Sequence, residues 1–210
     1  MMKHMDSLTE LPNRKQLELN LNELLRGDEH VALALIDVDH FMEINALGDE
    51  KGDEVLKTLA SVFEEEAPNH AFRVSGDEFA LLLPGHSLEQ AFLKMELIRK
   101  KVQDSQGLFN LTSERELTIT VGVAQYPRDA KDGQTLNRAA GAALMAAKEA
   151  GRNHVALPPN EEMVMKSCYY SSTSLRKLKA LAEQLNKKES VLLREALDDI
   201  LRKYDNKKMT

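Results

Sequence analysis

The chain has 210 residues, of which 42% are hydrophobic and 30% charged, and its formal net charge is −6. This composition is typical of a globular protein and excludes a disordered chain. The longest apolar runs are about six residues, far below the roughly 18 needed to span a bilayer. A single cysteine excludes an internal disulfide. Since no charged and apolar leader opens the sequence, we expect a cytoplasmic protein without a membrane partner.

Charge is distributed unevenly along the chain. From Lys166 onward there are 11 basic and 6 acidic residues, a net of +5, which leaves 17 basic and 28 acidic residues, or −11, for residues 1–165. A basic segment of this kind is typical of a region that binds nucleic acid or another acidic partner. A solvated helix face would explain the same excess of positive charge.

Apolar spacing predicts alternating helices and strands over the first three quarters of the chain. A Ser75-Gly76-Asp77 break between two apolar runs predicts a β-hairpin. Helices segregated on a largely antiparallel sheet make an α+β domain. The predicted elements are a helix over 13–26, a strand over 31–37, a short helical piece after Phe41, a Gly48/Gly52 loop, a helix over 53–66, the hairpin over 72–84, a helix over 88–104, a loop over 103–115, a strand over 117–125, a helix over 136–150 and a strand over 154–157.

Carboxylates stand at the ends of two buried strands. Asp37 and Asp39 follow the apolar run 31–36, and strand alternation puts both on one face. Asp77 and Glu78 lie where the hairpin turn enters its second strand. A carboxylate beside a dry core needs a cation or donors, so Asp37 and Asp77 are candidates to share a hard cation such as Mg²⁺. The alternative is two unrelated acidic surface turns.

In this order, these pieces resemble the GGDEF domain of diguanylate cyclases, with serine at the first position of the signature. The similarity implies a palm-like α+β fold of nucleotide cyclases with a mainly antiparallel sheet, assigned here to residues 1–157. The matching segments run over about residues 6 to 157 and are Asp6-Ser7-Leu8-Thr9 with Leu11, Asn13 and Arg14; Ile36 to Phe41; Asn45 with Gly48, Gly52 and Asp53; Ser75 to Phe79; Thr120 to Ala124; and Ala147 to Asn153.

The resemblance implies condensation of two GTP molecules into cyclic di-GMP at a dimeric site containing Mg²⁺ or Mn²⁺. Asp37, Asp77 and the main-chain carbonyl of Val38 match the metal ligands of the family. Asp77 and Glu78 are the expected catalytic acids. Glu78 would act at a second metal or accept the proton of the attacking hydroxyl.

Four further residues match the positions that bind the substrate. Asn45 and Asp53 match the positions that hold guanine. A carboxylate can accept hydrogen bonds from the guanine N–H groups, and an amide can both donate and accept them. Lys148 and Arg152 are four apart in a predicted helix, so they would share a face and bind phosphates. Spacing alone would favour a solvent-facing pair, and it is the resemblance that indicates phosphate binding.

Several residues depart from the family pattern. Met42 replaces a lysine that contacts phosphate, and Ser75 replaces a glycine, where a left-handed backbone would cost on the order of 1 kcal/mol. Gly141 and Met145 replace an aspartate and a tyrosine, and we expect them to affect packing rather than chemistry. The departures favour an alternative function, in which a weakened domain senses guanine nucleotide and regulates transcription without synthesis.

The tail resembles a different family. After a linker over 158–164, residues 165–206 predict a short strand over 165–170 and two amphipathic helices, over 175–185 and 191–201. This β-α-α order is similar to the ribbon-helix-helix module of small DNA-binding repressors. A segment this short lacks a sufficient core, which favours a homodimer through the module.

The same resemblance implies contacts with double-stranded DNA. Ser167 and Tyr169 would face the major groove if Cys168 and Tyr170 face the core, and Lys187 and Lys188 would contact phosphates. The alternative is a helical dimerisation tail without DNA. A dimeric tail would also raise the local concentration of the two GTP-loaded domains.

Overall fold

The computed structural model describes two compact units, residues 1–161 and residues 162–210. Described are residues 4–27, 30–109, 111, 116–158 and 168–185, together with positions 189, 192, 193, 196, 197, 200, 203 and 204. Each unit is treated by itself. In these described ranges, no helix combines the length and the apolar content needed to cross a bilayer.

The first unit is built on a five-stranded sheet with the order β2-β3-β1-β4-β5. All neighbouring strands are antiparallel except β4 and β5, which are parallel, so the sheet is mixed but mainly antiparallel. The central strand pairs Asp37 with Glu78 on β3 and with Thr120 on β4. The strands are β1 Val31–Val38, β2 Ala71–Ser75, β3 Glu78–Pro84, β4 Ile119–Tyr126 and β5 Val155–Ala156.

Helices follow the apolar spacing and begin at recognisable caps. Side chains of Asn13, Ser87 and Asp132 accept main-chain N–H groups at the starts of α1, α4 and α5, which satisfies donors that a helix leaves free. The helices are α1 Arg14–Leu24, α2 Phe41–Asn45, α3 Asp49–Glu66, α4 Leu88–Asp104, α5 Gly133–Glu149 and, in the second unit, α6 Ser172–Leu185; short 3₁₀ turns cover Leu25–Gly27 and Gln106–Leu108.

Strand alternation divides the core between the two faces of the sheet. Ala34 and Ile36 of β1 pack with the apolar sides of α2, α3 and α4. Leu33 packs with α1 and α5 on the opposite face. Asp37 shares the parity of Leu33, so its side chain belongs to the face that carries α1 and α5.

Two sequence predictions need correction in the first unit. The Gly48/Gly52 loop is largely helical, because α3 begins at Asp49 and contains Gly52. Gly52 is buried there against Asn45, and an added Cβ would collide with the Asn45 amide oxygen, so the glycine serves close helix packing. Arg152 is not in a helix, because α5 ends at Glu149 and Gly151 follows with φ of +121°.

In the second unit, α6 matches the first predicted helix of the tail. Residues 168–170 are described and lie outside any strand, and 165–167 are outside the described residues. The second predicted helix is described at positions 192, 193, 196, 197 and 200, all of them helical.

Candidate functional site

The predicted metal-binding acids meet where β1 ends beside the hairpin turn. Val38 N–H donates to the Asp77 carbonyl at 3.2 Å, which fixes the turn against the end of the strand. Asp37 is only 8% exposed, whereas Asp77 and Glu78 are half-buried. The fold therefore brings Asp37, Val38, Asp77 and Glu78 together, as the sequence predicted.

Lys148 compensates part of the negative charge. Its Nζ lies 2.6 Å from Asp37 Oδ2. Burial raises the pKa of Asp37, whereas the hydrogen bond and the charge of Lys148 lower it. The charges of Asp77 and Asp39 raise this pKa further, so its net shift is upward. Burial is the largest of these causes, so the upward shift mainly reflects the loss of solvent around the Asp37 carboxylate.

This donor set suits a hard divalent cation. Asp37 already binds a positive group, and a neighbouring carboxylate and a main-chain carbonyl supply further oxygen ligands of the kind that Mg²⁺ prefers. No group of three or more His, Cys, Asp or Glu side chains with metal-site geometry occurs among the described residues. A cation here would therefore depend on two carboxylates, main-chain oxygen and phosphate.

An arginine that sequence reasoning missed holds the hairpin turn. Arg73 donates from Nε and Nη2 to the Gly76 carbonyl at 3.1 and 2.7 Å, and from Nη1 to Asp6 Oδ1 at 2.9 Å. Asp6 also accepts from Thr9 N–H and Oγ1 at 2.9 and 2.8 Å. The Asp6 and Arg73 pair therefore fastens the N-terminal segment to the turn that carries Asp77.

Ser75 fits its position without backbone strain. It is the last residue of β2 and is not among the residues with positive φ, whereas Gly76 has φ of +40°. The expected cost of a left-handed serine therefore does not arise. Ser75 Oγ lies 2.6 Å from Glu78 Oε2 and donates to that carboxylate.

The predicted guanine-binding residues lie at the junction of α2 and α3. Asn45 is the last residue of α2, and Asp53 is in the second turn of α3. Both are exposed, and neither side chain makes a hydrogen bond to another described residue. They are therefore available to a ligand.

The two predicted phosphate-binding residues occupy different local structures. Lys148 is in the last turn of α5, and Arg152 is in the turn that follows, with φ of +64°. The two side chains therefore do not share a helix face, and that prediction is wrong. Arg152 is exposed and makes no side-chain hydrogen bond with the described residues.

A groove of about 710 Å³ opens between α1 and α5 beside these acids. Leu35 is the one residue of β1 that is only half-buried, because the helices leave it partly uncovered. Sequence reasoning treated Gly141 and Met145 as packing changes and missed that both line this groove, which also reaches Glu78 and Lys148.

The predicted DNA-contacting residues are described only in part. Tyr169 is fully exposed, and Cys168 and Tyr170 are exposed too, so the alternation assumed for a strand is not observed. Ser167, Lys187 and Lys188 lie outside the described residues.

Comparison with known proteins gives a consistent family assignment. The family model "Diguanylate cyclase, GGDEF domain" matches residues 3–154. The uncharacterized protein YhcK of Bacillus subtilis (strain 168) is 36% identical over 167 residues, which are 76% of this chain and 46% of that protein. The chain thus spans less than half the length of the curated relatives it matches.

Solved structures show the same fold. The GGDEF domain of DgcB from Caulobacter crescentus in complex with c-di-GMP is 30% identical with a TM-score of 0.65, covering 74% of this chain and 96% of that one. The GGDEF domain of TpbB (YfiN) from Pseudomonas aeruginosa (PAO1) is 35% identical with a TM-score of 0.66, covering 74% and 94%.

Proposed function

Because the chain belongs to the GGDEF family of diguanylate cyclases, we propose that it condenses two GTP molecules into cyclic di-GMP. The observation that carries this proposal is the convergence of Asp37, Asp77, Glu78 and Lys148 at one edge of the sheet. The related DgcB domain is solved in complex with c-di-GMP, which supports this dinucleotide as a ligand of the fold. We propose that the reaction takes place in the cytoplasm, where GTP is supplied.

In the proposed site, Asp37, Asp77 and the Val38 carbonyl hold Mg²⁺ or Mn²⁺, which supplies positive charge for the triphosphate when bound. Asn45 and Asp53 bind the guanine edge. Lys148 and Arg152 bind phosphate oxygens, and their positive charges stabilise the charge that develops there.

The proposed reaction is a pair of displacements. The 3′-hydroxyl oxygen of each GTP bonds to the α-phosphorus of the other, and the bond from that phosphorus to pyrophosphate breaks. Glu78 accepts the hydroxyl proton, in an orientation set by the hydrogen bond from Ser75. Two GTP thus yield one cyclic di-GMP and two pyrophosphates.

Two domains must face each other, and we assign that task to the tail. In the described part of α6, Leu175, Leu181 and Leu185 are exposed, while Ala182 alone is buried. Such an apolar face favours association with a second copy. A ribbon-helix-helix dimer that contacts DNA through Ser167, Tyr169, Lys187 and Lys188 remains a proposal from the sequence.

A nucleotide sensor that regulates transcription is the second candidate. Met42 favours it, because an apolar side chain that is 86% exposed stands where the family has a phosphate-contacting cation. Such a protein would bind GTP without releasing pyrophosphate.

Pyrophosphate release separates the two functions. We expect the full chain with GTP and Mg²⁺ to release pyrophosphate, and Asp77→Ala to abolish release while the protein stays folded. Glu23→Ala, at an exposed acid on α1, is the matched control and should keep full activity. Binding of GTP without release by the unsubstituted chain would favour the sensor.

A further inference from the structure

The turn after α5 has an unusual backbone. Gly151, Arg152 and Asn153 have φ of +121°, +64° and +49° in succession. Left-handed φ values are unfavourable for residues with a Cβ, so a turn with two such residues in a row persists only where surrounding contacts hold it. This turn contains Arg152, one of the two proposed phosphate-binding residues, so its backbone conformation sets the position of the Arg152 side chain.

Asp39 provides one of these contacts. Its carboxylate is 3% exposed and accepts from Thr118 Oγ1 at 2.7 Å, from Thr120 Oγ1 at 2.6 Å and from Asn153 N–H at 3.1 Å. Asn153 N–H is shared with Thr120 Oγ1 at 3.0 Å. Asp39 makes no ion pair with any described residue, so these donors are what satisfy it.

The other side of the turn is held from α4. Arg99 Nη1 donates to Asn153 Oδ1 at 2.8 Å, and Arg99 Nη2 pairs with Glu96 Oε2 at 3.0 Å. Glu96 Oε1 accepts Val155 N–H at 3.1 Å. Asn153 is therefore fixed by its main chain to Asp39 and by its side chain to Arg99.

The sequence placed Asp39 beside Asp37 on one strand face. The structure keeps both acids on that face: Asp39 N–H donates to the Thr118 carbonyl just beyond β1, and the Asp39 carboxylate contacts Thr120, the residue that pairs with Asp37. Asp37 contacts Lys148, whereas Asp39 contacts the turn that follows the same helix. The two acids thus act on different phosphate-binding residues.

We infer that Asp39 is a positioning residue, which holds the Gly151–Asn153 turn so that Arg152 reaches the phosphates of GTP. This inference rests on the proposed function and extends it to a residue outside the ligand set. Asp39 holds the main chain at Asn153, next to Arg152. Its contribution to GTP affinity therefore depends on the presence of the Arg152 guanidinium.

A double-mutant cycle tests this dependence. The ligand is a GTP analogue with a non-cleavable α–β bridge, which prevents turnover in the presence of Mg²⁺. Its affinity is measured by calorimetry for the full chain, Asp39→Ala, Arg152→Ala and the double variant. We expect Asp39→Ala to weaken binding about tenfold in the unsubstituted chain and less than about twofold in Arg152→Ala. A purely structural role would weaken binding equally in both backgrounds.

A matched control and a milder variant complete the design. Gln125 is a buried polar residue of β4, at the opposite end of that strand from Thr120, where it contacts His30 and the His86 carbonyl. Gln125→Ala should therefore lower stability without changing affinity. If Asp39→Ala does not fold, Thr118→Val, which removes one donor to the same carboxylate, replaces it in the cycle.

The outcomes distinguish the positioning role of Asp39 from the proposed function. Equal losses in both backgrounds, or no loss with Asp39→Ala, would overturn the positioning role while leaving the proposed function intact. Failure of the unsubstituted chain to bind the analogue would overturn both.

Discussion

Met42 is the residue at which the proposed site lacks a positive charge. Its side chain is 86% exposed in the first turn of α2, so a lysine there needs no repacking. We expect Met42→Lys to lower the KM for GTP about threefold to tenfold, since an added charge at a phosphate is worth about 1 kcal/mol.

The control for this change is Leu93→Lys, at a residue 61% exposed on α4. It adds the same charge to another helix and should leave the KM unchanged. Equal effects of the two lysines would mean that net charge alone, and not position 42, governs substrate binding.

Asp6 makes the hairpin turn sensitive to acid. Burial raises the pKa of Asp6, but hydrogen bonds from Thr9 and Arg73 outweigh it and hold the pKa below its usual value. A lowered folded-state pKa means that stabilisation is present above the unfolded pKa, about 3.9, and is lost as the pH falls below it.

We therefore expect Asp6→Asn to lower the free energy of unfolding by about 1 to 3 kcal/mol at pH 7. The difference from the unsubstituted chain should shrink between pH 5 and pH 3, as urea denaturation would measure. Glu23→Gln provides a control at an exposed acid. A difference that stays constant over this range would contradict the role of the Asp6 carboxylate.

Charged residues next to buried strands were predictable from the sequence as site residues. Asp37 ends one apolar run and Asp77 precedes another, both places where a charge needs a partner, and the structure brings them together. Arg73 and Asp39 were not assigned roles: Arg73 donates to the nearby Gly76 carbonyl and to Asp6, 67 residues away, and Asp39 accepts from Asn153 N–H, 114 residues away. The residue types of Gly76 and Asn153 do not indicate these bonds, because a main-chain group makes each of them.

At the scale of elements, α5 packs on β4 at a glycine. A Cβ at Gly122 would meet the Ala140 carbonyl and Leu144 N, both main-chain atoms that cannot move aside. We expect Gly122→Ala to lower the free energy of unfolding by about 1 to 3 kcal/mol because of this overpacking.

Gly141 gives the matched comparison on α5 itself. Its added Cβ would find only Leu35 Cδ1, at 4.0 Å, because it borders the groove. Gly141→Ala should therefore stabilise the protein by about 0.5 to 1 kcal/mol, the gain from replacing a helical glycine. Chemical denaturation measures both, and destabilisation by both variants would contradict the packing difference.

Element boundaries followed from the sequence where periodicity and caps agreed. The predicted helix over 88–104 is observed as α4, which begins at the Ser87 cap. The start of α3 was missed because Gly52, normally unfavourable inside a helix, fits against Asn45 through a tertiary contact. Arg152 was placed in a helix because spacing does not reveal the left-handed turn at Gly151.

At the scale of the whole molecule, synthesis should depend on association of two chains. Removal of residues 161–210, close to the boundary between the two compact units, should leave a folded monomer with much lower synthesis at low protein concentration. Sedimentation and the rate per chain as a function of concentration measure this. Attachment of an unrelated dimerising helix should restore the rate, and a fully active truncated monomer would contradict the role of the tail.

The identity of the product tests the central claim most directly. The purified full chain is incubated with GTP and Mg²⁺, and the nucleotides are separated by ion-exchange chromatography. We predict one cyclic di-GMP for each two GTP consumed, with no product from Asp77→Ala. Unchanged GTP, or a product that Asp77→Ala also forms, would contradict the assignment of this site as a diguanylate cyclase.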